Sequence, residues 1–189
     1  MRTILNLYKY LFQYPDENFH FYLKNLISNL ENYQDETLAK YIEKIKYGFK
    51  DLGSTELKEL YSHTFDWNPS TCLYMGYYLF GESYFRSTFL IKLTEAFEFY
   101  QFQKTKSEMS DHLSILLDFS ANYLDDTDLY DFLETVILLS LDKFLNSQKL
   151  DEQTIEKSFS EKKSYYYLLK SLHYLLASYS SKEIIITTI

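Results

Sequence analysis

The sequence predicts an all-α protein, folded as one helical bundle. Three observations carry that expectation. Only four glycines and two prolines occur among 189 residues, whereas an all-β domain needs many tight turns, and such turns draw on glycine and asparagine at positive φ. Apolar residues recur at three- and four-residue intervals along most of the chain, which is the period of a helix with one buried face. The hydrophobic share is 46%, enough for a single continuous core in a chain of this length.

The elements follow in order. Ile4, Leu7, Tyr8, Leu11 and Phe12 place a helix over residues 3–13, which Pro15 ends. Asp16 is the expected cap of a second helix carrying Phe19, Leu23, Leu26, Ile27 and Leu30. Leu38, Ile42, Ile45 and Phe49 mark a third over about 35–52, stopped by Gly53, with Ser54 opening the next. Leu57, Leu60, Tyr61 and Phe65 continue the pattern over 55–65. The clearest loop is Asp66–Ser70, where Asn68 precedes Pro69 and is biased away from helix. Residues 71–82 and 84–102 read as two helices, or as one with a bend near Gly81, and a further helix is expected over 110–124, ending in an acidic turn at 125–128. The segment 128–147 is apolar nearly all round and reads as a central buried helix. A last helix over 161–179 carries Tyr165, Leu168, Leu169, Leu172, Leu175, Leu176 and Tyr179 on one stripe. Residues 1–182 form the helical domain in this reading, and 183–189, EIIITTI, a frayed or extended tail.

Charge and rare residues narrow the function. The net charge of −8 disfavours nucleic acid and anionic membrane surfaces, and suits a basic peptide partner. The single cysteine excludes an internal disulfide and points to a reducing compartment. The first 15 residues hold no small-residue cleavage site, so no signal peptide is expected, and no apolar run is long enough to span a bilayer. A cytoplasmic location follows. The four histidines are scattered without metal-ligand spacing, and neither a glycine-rich phosphate loop nor a nucleophile elbow occurs. Neither a metal nor a stably bound cofactor is expected.

Rare residues concentrate between Trp67 and Arg86. That stretch holds the only tryptophan, the only cysteine (Cys72), Pro69, Gly76, Gly81 and one of two arginines. A chain that otherwise uses lysine gives that arginine a purpose, since guanidinium makes two-pronged hydrogen bonds that ammonium cannot. Glu82 and Arg86 stand at i, i+4, a favourable salt-bridge order on a helix, and Tyr74 and Tyr78 share that spacing one turn earlier. Asp111 and His112 are the one acid–base neighbour pair. Adjacent helical side chains diverge, so Ser110 or Asp111 reads first as a helix cap. Cys72 reads as a small packed residue.

Four blocks then stand in a recognisable order: LFQYPDE at 11–17, ELYSHTFDWNP at 59–69, LYMGYYLFGESYFR at 73–86 and EMSDHLSILLDFSA at 108–121. Together they resemble the respiratory nitrate reductase delta-subunit family, also called molybdenum-cofactor assembly chaperones, within the TorD-like redox-enzyme maturation proteins. The resemblance spans about residues 4–124. It implies a helical, non-enzymatic chaperone that binds the catalytic subunit of a molybdenum-containing nitrate reductase, often at its N-terminal peptide, and assists cofactor insertion. Molybdenum cofactor would then be met only through the client. The residues carried over for peptide binding are Phe65, Asp66, Tyr74, Tyr78, Glu82, Arg86, Asp111 and His112, with Pro69 and Gly81 as structural motif positions. Ser87 stands where the family often has glycine, and Ser110 where it often has proline. The alternatives are a chaperone for a dimethyl sulfoxide, trimethylamine oxide or formate enzyme, a helical enzyme using Asp111 and His112 as acid and base, and a purely structural adaptor. Monomer and homodimer are both open, with the 66–70 loop as the place for a helix-exchange hinge.

Overall fold

The computed structural model describes residues 1–104, 108–147 and 163–186. These residues form ten α-helices: α1 (Arg2–Leu11), α2 (Phe19–Glu31), α3 (Glu36–Phe49), α4 (Ser54–Tyr61), α5 (Met75–Phe80), α6 (Tyr84–Phe99), α7 (Leu113–Asn122), α8 (Asp126–Phe132), α9 (Leu139–Ser147) and α10 (Ser164–Ile186). π-Helical turns follow α4 at Ser62–Asp66 and join α8 to α9 at Leu133–Leu138, and a 3-10 turn spans Pro69–Thr71. Among the described residues the extended pairing is a single antiparallel bridge between Tyr74 and His112.

Helix α10 forms the axis of the core. Its Tyr165, Leu168, Leu169 and Leu172 are all at 0% exposure. It packs on α3 and on the π turn that follows α8, while α1 lies between α2 and α7. The α3–α10 contact is close because Gly48 lacks a side chain: a Cβ there would sit 2.5 Å from Ser164 Oγ. Phe19, Phe49, Tyr61 and Phe65 pack around the Tyr165 ring at centroid distances of 4.8–6.4 Å, mostly edge to face, the arrangement that ring quadrupoles prefer.

Several boundaries differ from expectation, each for a local reason. Asp16 does not cap α2; its carboxylate accepts from the Asn18 amide at 2.8 Å, a turn ahead of the Asn18 cap position. Asp35 does cap α3, accepting from the Thr37 and Leu38 amides at 2.8 and 2.9 Å. Helix α3 ends where Asp51 takes φ 61°, before Gly53 is reached, and Gly53 rather than Ser54 occupies the cap position of α4. The rod from α8 to α9 is not buried all round, since Leu139 is 44% exposed; the central place belongs to α10. Backbone helix runs on to Ile186, into the tail expected to be frayed or extended, whose residues 187–189 lie outside the described ones.

Candidate functional site

The rare-residue segment folds into a cleft. After Tyr61 the helix widens into the π turn, in which the Trp67 amide donates to the Ser62 carbonyl five residues back at 2.9 Å. The wider turn holds Phe65 inward on Tyr61 and Tyr165, and leaves Asp66 outward, where it accepts from the Ser62 hydroxyl at 2.8 Å. Asn68 then starts the 3-10 turn by accepting from the Ser70 amide, with Pro69 at a position where no amide proton is needed. Thr71 Oγ1 donates to the Thr64 carbonyl and ties this turn back to the π turn.

The chain next crosses in front of α7. The Met75 amide donates to the Asp111 carbonyl and the Leu113 amide to the Leu73 carbonyl, both at 2.8 Å. These two bonds fix residues 73–75 against 111–113 and set the entry of α5. Helix α5 ends at Gly81, whose φ of 64° and ψ of −162° lie in a region essentially reserved for glycine. The reversal lets α6 start at Tyr84 and points Arg86 back at the bridge. Its guanidinium donates to Asp111 Oδ2 from Nε at 3.0 Å and from Nη2 at 2.9 Å, and lies 5.9 Å from the Tyr74 ring centroid.

Asp111 is at 0% exposure. Burial pushes its carboxyl above the ordinary range, against the opposing pull of Arg86. Its Oδ1 has no hydrogen-bond partner among the described residues. Gly76 makes the close fit possible, because a Cβ there would lie 2.6 Å from Asp111 Oδ2 and 3.0 Å from the Phe89 ring. Tyr74 donates to Glu108 at 2.8 Å, and its hydroxyl pKa is raised by burial first and by that carboxylate second.

An open cleft of about 410 Å³ lies over this framework, lined by Phe65, Asp66, Pro69, Cys72, Tyr74, Tyr77, Glu82 and Arg86. Five of the eight peptide-binding candidates line it together: Phe65, Asp66, Tyr74, Glu82 and Arg86. Phe65 forms the floor at 5% exposure, while Asp66 and Glu82 stand exposed at the mouth. The remaining candidates stand behind or beside it. Asp111 holds Arg86 from beneath. Tyr78 turns away, donating to the Cys72 and Ser70 carbonyls and packing on Phe144 of α9 at 4.9 Å. His112 is the cap of α7: its Nδ1 accepts from the Ser114 amide, and its ring meets Tyr74 edge-on at 5.4 Å.

Three expectations are corrected here. Arg86 pairs with Asp111, because Glu82 precedes α6 and the i, i+4 geometry does not exist. Tyr74 and Tyr78 do not pair, because Tyr74 sits at the cap position of α5 rather than within it. Asp111 and His112 form no acid–base dyad, since one carboxylate is engaged by Arg86 and the imidazole faces Ser114; the cap is His112 rather than Ser110 or Asp111. Sequence reasoning also passed over Glu108, Gly76 and Tyr77 as site residues. Glu108 and Gly76 lie inside the motif blocks, but nothing in local spacing couples residue 108 to residue 74. Among the described residues, no cluster of His, Cys, Asp and Glu could hold a metal ion, and no helix is long and apolar enough to cross a membrane.

Residues 30–152 match the sequence profile of a family described as nitrate reductase delta subunit. The chain is also similar to the "Probable nitrate reductase molybdenum cofactor assembly chaperone NarJ" of Bacillus subtilis (strain 168), at 32% identity over 117 residues, which is 59% of this chain and 60% of that protein. The chain therefore spans about 60% of the length of that curated relative. Every cleft residue lies inside the matched region.

Proposed function

The chain belongs to the nitrate reductase delta subunit family, and from that premise we propose that it is a non-catalytic chaperone for assembly of a molybdenum-containing nitrate reductase, gripping a segment of the catalytic subunit, its N-terminal peptide, in the cleft between α5, α6 and the π turn. The observation that carries the reading is the convergence of Phe65, Asp66, Tyr74, Glu82 and Arg86 on one open cleft within the family-matched region. The chemistry suits an amphipathic helix. Its apolar face lies on Phe65, Tyr74 and Tyr77, and its basic residues meet Asp66 and Glu82 at the mouth. Arg86, held rigid by Asp111, offers its remaining donors to a carbonyl or carboxylate of the client. Molybdenum cofactor is met through the client, and no bond is made or broken in the cleft.

Calorimetric titration with a synthetic N-terminal peptide of the nitrate reductase catalytic subunit tests this. Saturable heat is expected with the wild type, and a loss of affinity of about tenfold or more with Glu82→Lys, which reverses an exposed charge without disturbing the core. Absence of saturable heat at high micromolar peptide, or equal affinity in Glu82→Lys, counts against peptide capture here.

A further inference from the structure

Helix α6 is the anomaly of the fold. Of its sixteen residues only Leu93 and Phe97 are buried. On the opposite face Tyr84 is 81%, Ile91 59% and Phe99 78% exposed, with Phe85 at 69% on the flank. Soluble proteins seldom leave so many large apolar side chains along one side of a helix in water, and such a row marks an interaction surface. We propose that this face of α6 is a self-association surface whose occupant is a second copy of this chain, paired antiparallel about a two-fold axis at the middle of the helix.

The arrangement of residues favours that occupant. Tyr84, Thr88, Ile91, Glu95 and Phe99 follow one another at four- and three-residue steps, so they form one stripe along the solvent side. The helix is centred between Ile91 and Lys92. A two-fold axis there sets Tyr84 of each copy beside Phe99 of the other, brings Thr88 against Glu95, and places the two Ile91 side chains together on the axis. The stripe is thus complementary to itself, as an isologous interface requires. The charged residues of α6 as a whole, Arg86, Lys92, Glu95 and Glu98, balance, unlike the chain at −8.

The area is also of the right order. At these exposures, Tyr84, Phe85, Ile91 and Phe99 present on the order of 500–600 Å² together. Two copies would bury roughly 1,000–1,200 Å² in total, the lower bound of specific interfaces. Association is therefore weak and concentration-dependent. Because each copy carries −8, added salt screens repulsion between the copies and strengthens pairing. This inference is independent of the proposed client.

Sedimentation of the full chain from low micromolar to about 1 mM, at low and at high salt, reads the outcome. The wild type is expected to move from monomer to dimer with rising concentration, more readily in high salt. Ile91→Glu, an exposed substitution that sets two carboxylates face to face on the axis, is expected to weaken association at least tenfold with an unchanged circular dichroism spectrum. As a second readout, Ile91→Cys in a Cys72→Ser background should cross-link to a dimer under diamide, while Lys44→Cys, at an exposed position of α3, should not. A wild type monomeric throughout, or a dimer unaffected by Ile91→Glu and not cross-linked through residue 91, overturns the proposal.

Discussion

Replacing Arg86 by alanine should cost far more than losing a surface ion pair. The Asp111 carboxylate is at 0% exposure and the Arg86 side chain at 18%. Removing the guanidinium strands a carboxylate with one oxygen already unpartnered. A buried ion pair broken from one side costs about 3–5 kcal/mol. An exposed pair on the same helix, Lys92 with Glu95 at 70% and 56% exposure, is worth only about 0–1 kcal/mol, so Lys92→Ala is the internal control. The Asp111→Asn change should cost less than Arg86→Ala, because a long guanidinium side chain can reach water while a buried carboxylate cannot. The double variant Arg86→Ala, Asp111→Asn should recover a large part of the Arg86→Ala loss. The sign of the pH dependence follows from burial. The Asp111 carboxyl is already raised from 3.8, and Arg86 is what opposes the rise, so in Arg86→Ala it climbs further. A raised carboxyl contributes stability that is present below its unfolded value and lost as pH increases through its folded value. The deficit of Arg86→Ala against the wild type should therefore be largest at neutral pH and shrink as the pH falls through the raised carboxyl's folded-state value. Urea unfolding of the wild type and the four variants from neutral to acid pH measures it. A deficit that is flat with pH and indifferent to Asp111→Asn would refute the reasoning.

Other outcomes follow from single positions. Gly76→Ala should destabilise by about 1–3 kcal/mol in urea unfolding, since its Cβ would press on Asp111 Oδ2 at 2.6 Å and the Phe89 ring at 3.0 Å; a neutral result means the bridge can yield. Gly81→Ala has open space around its Cβ yet should lose about 1–3 kcal/mol from backbone conformation alone, because φ is +64°. Tyr165→Phe should be neutral or slightly stabilising in a thermal melt, since its hydroxyl is buried with no hydrogen-bond partner among the described residues. Tyr8→Phe is the contrast: it loses the 2.7 Å bond to Ser171 and should cost about 0.5–1.5 kcal/mol. Equal effects of the two tyrosine changes would show that the Tyr8–Ser171 bond contributes nothing net.

The helical bundle and the neighbourhood of the cleft were legible in the amino-acid order because both are written locally. The stripes over α1, α2, α3 and α10 repeat within a few residues, and burial of Leu26, Ile45 and Leu172 follows from them. The concentration of tryptophan, cysteine, proline, glycine and arginine between residues 67 and 86 marked the cleft for the same reason. Boundaries were less legible. Asp51 rather than Gly53 took the left-handed backbone just past α3, a choice that glycine's local preference for positive φ does not make.

What the sequence determined by itself is the element type and the stretch that folds into the cleft, since helical periodicity and turn chemistry act over one to five residues. Tertiary structure alone decided who partners whom. Glu82 is four residues from Arg86 and Asp111 twenty-five, yet the guanidinium binds Asp111. The two backbone bonds between residues 73–75 and 111–113 bring that carboxylate into place, and the reversal at Gly81 removes Glu82 from the helix. Ion pairing depends on distance in space and on dielectric surroundings, and neither can be read from spacing along a chain once it turns back on itself.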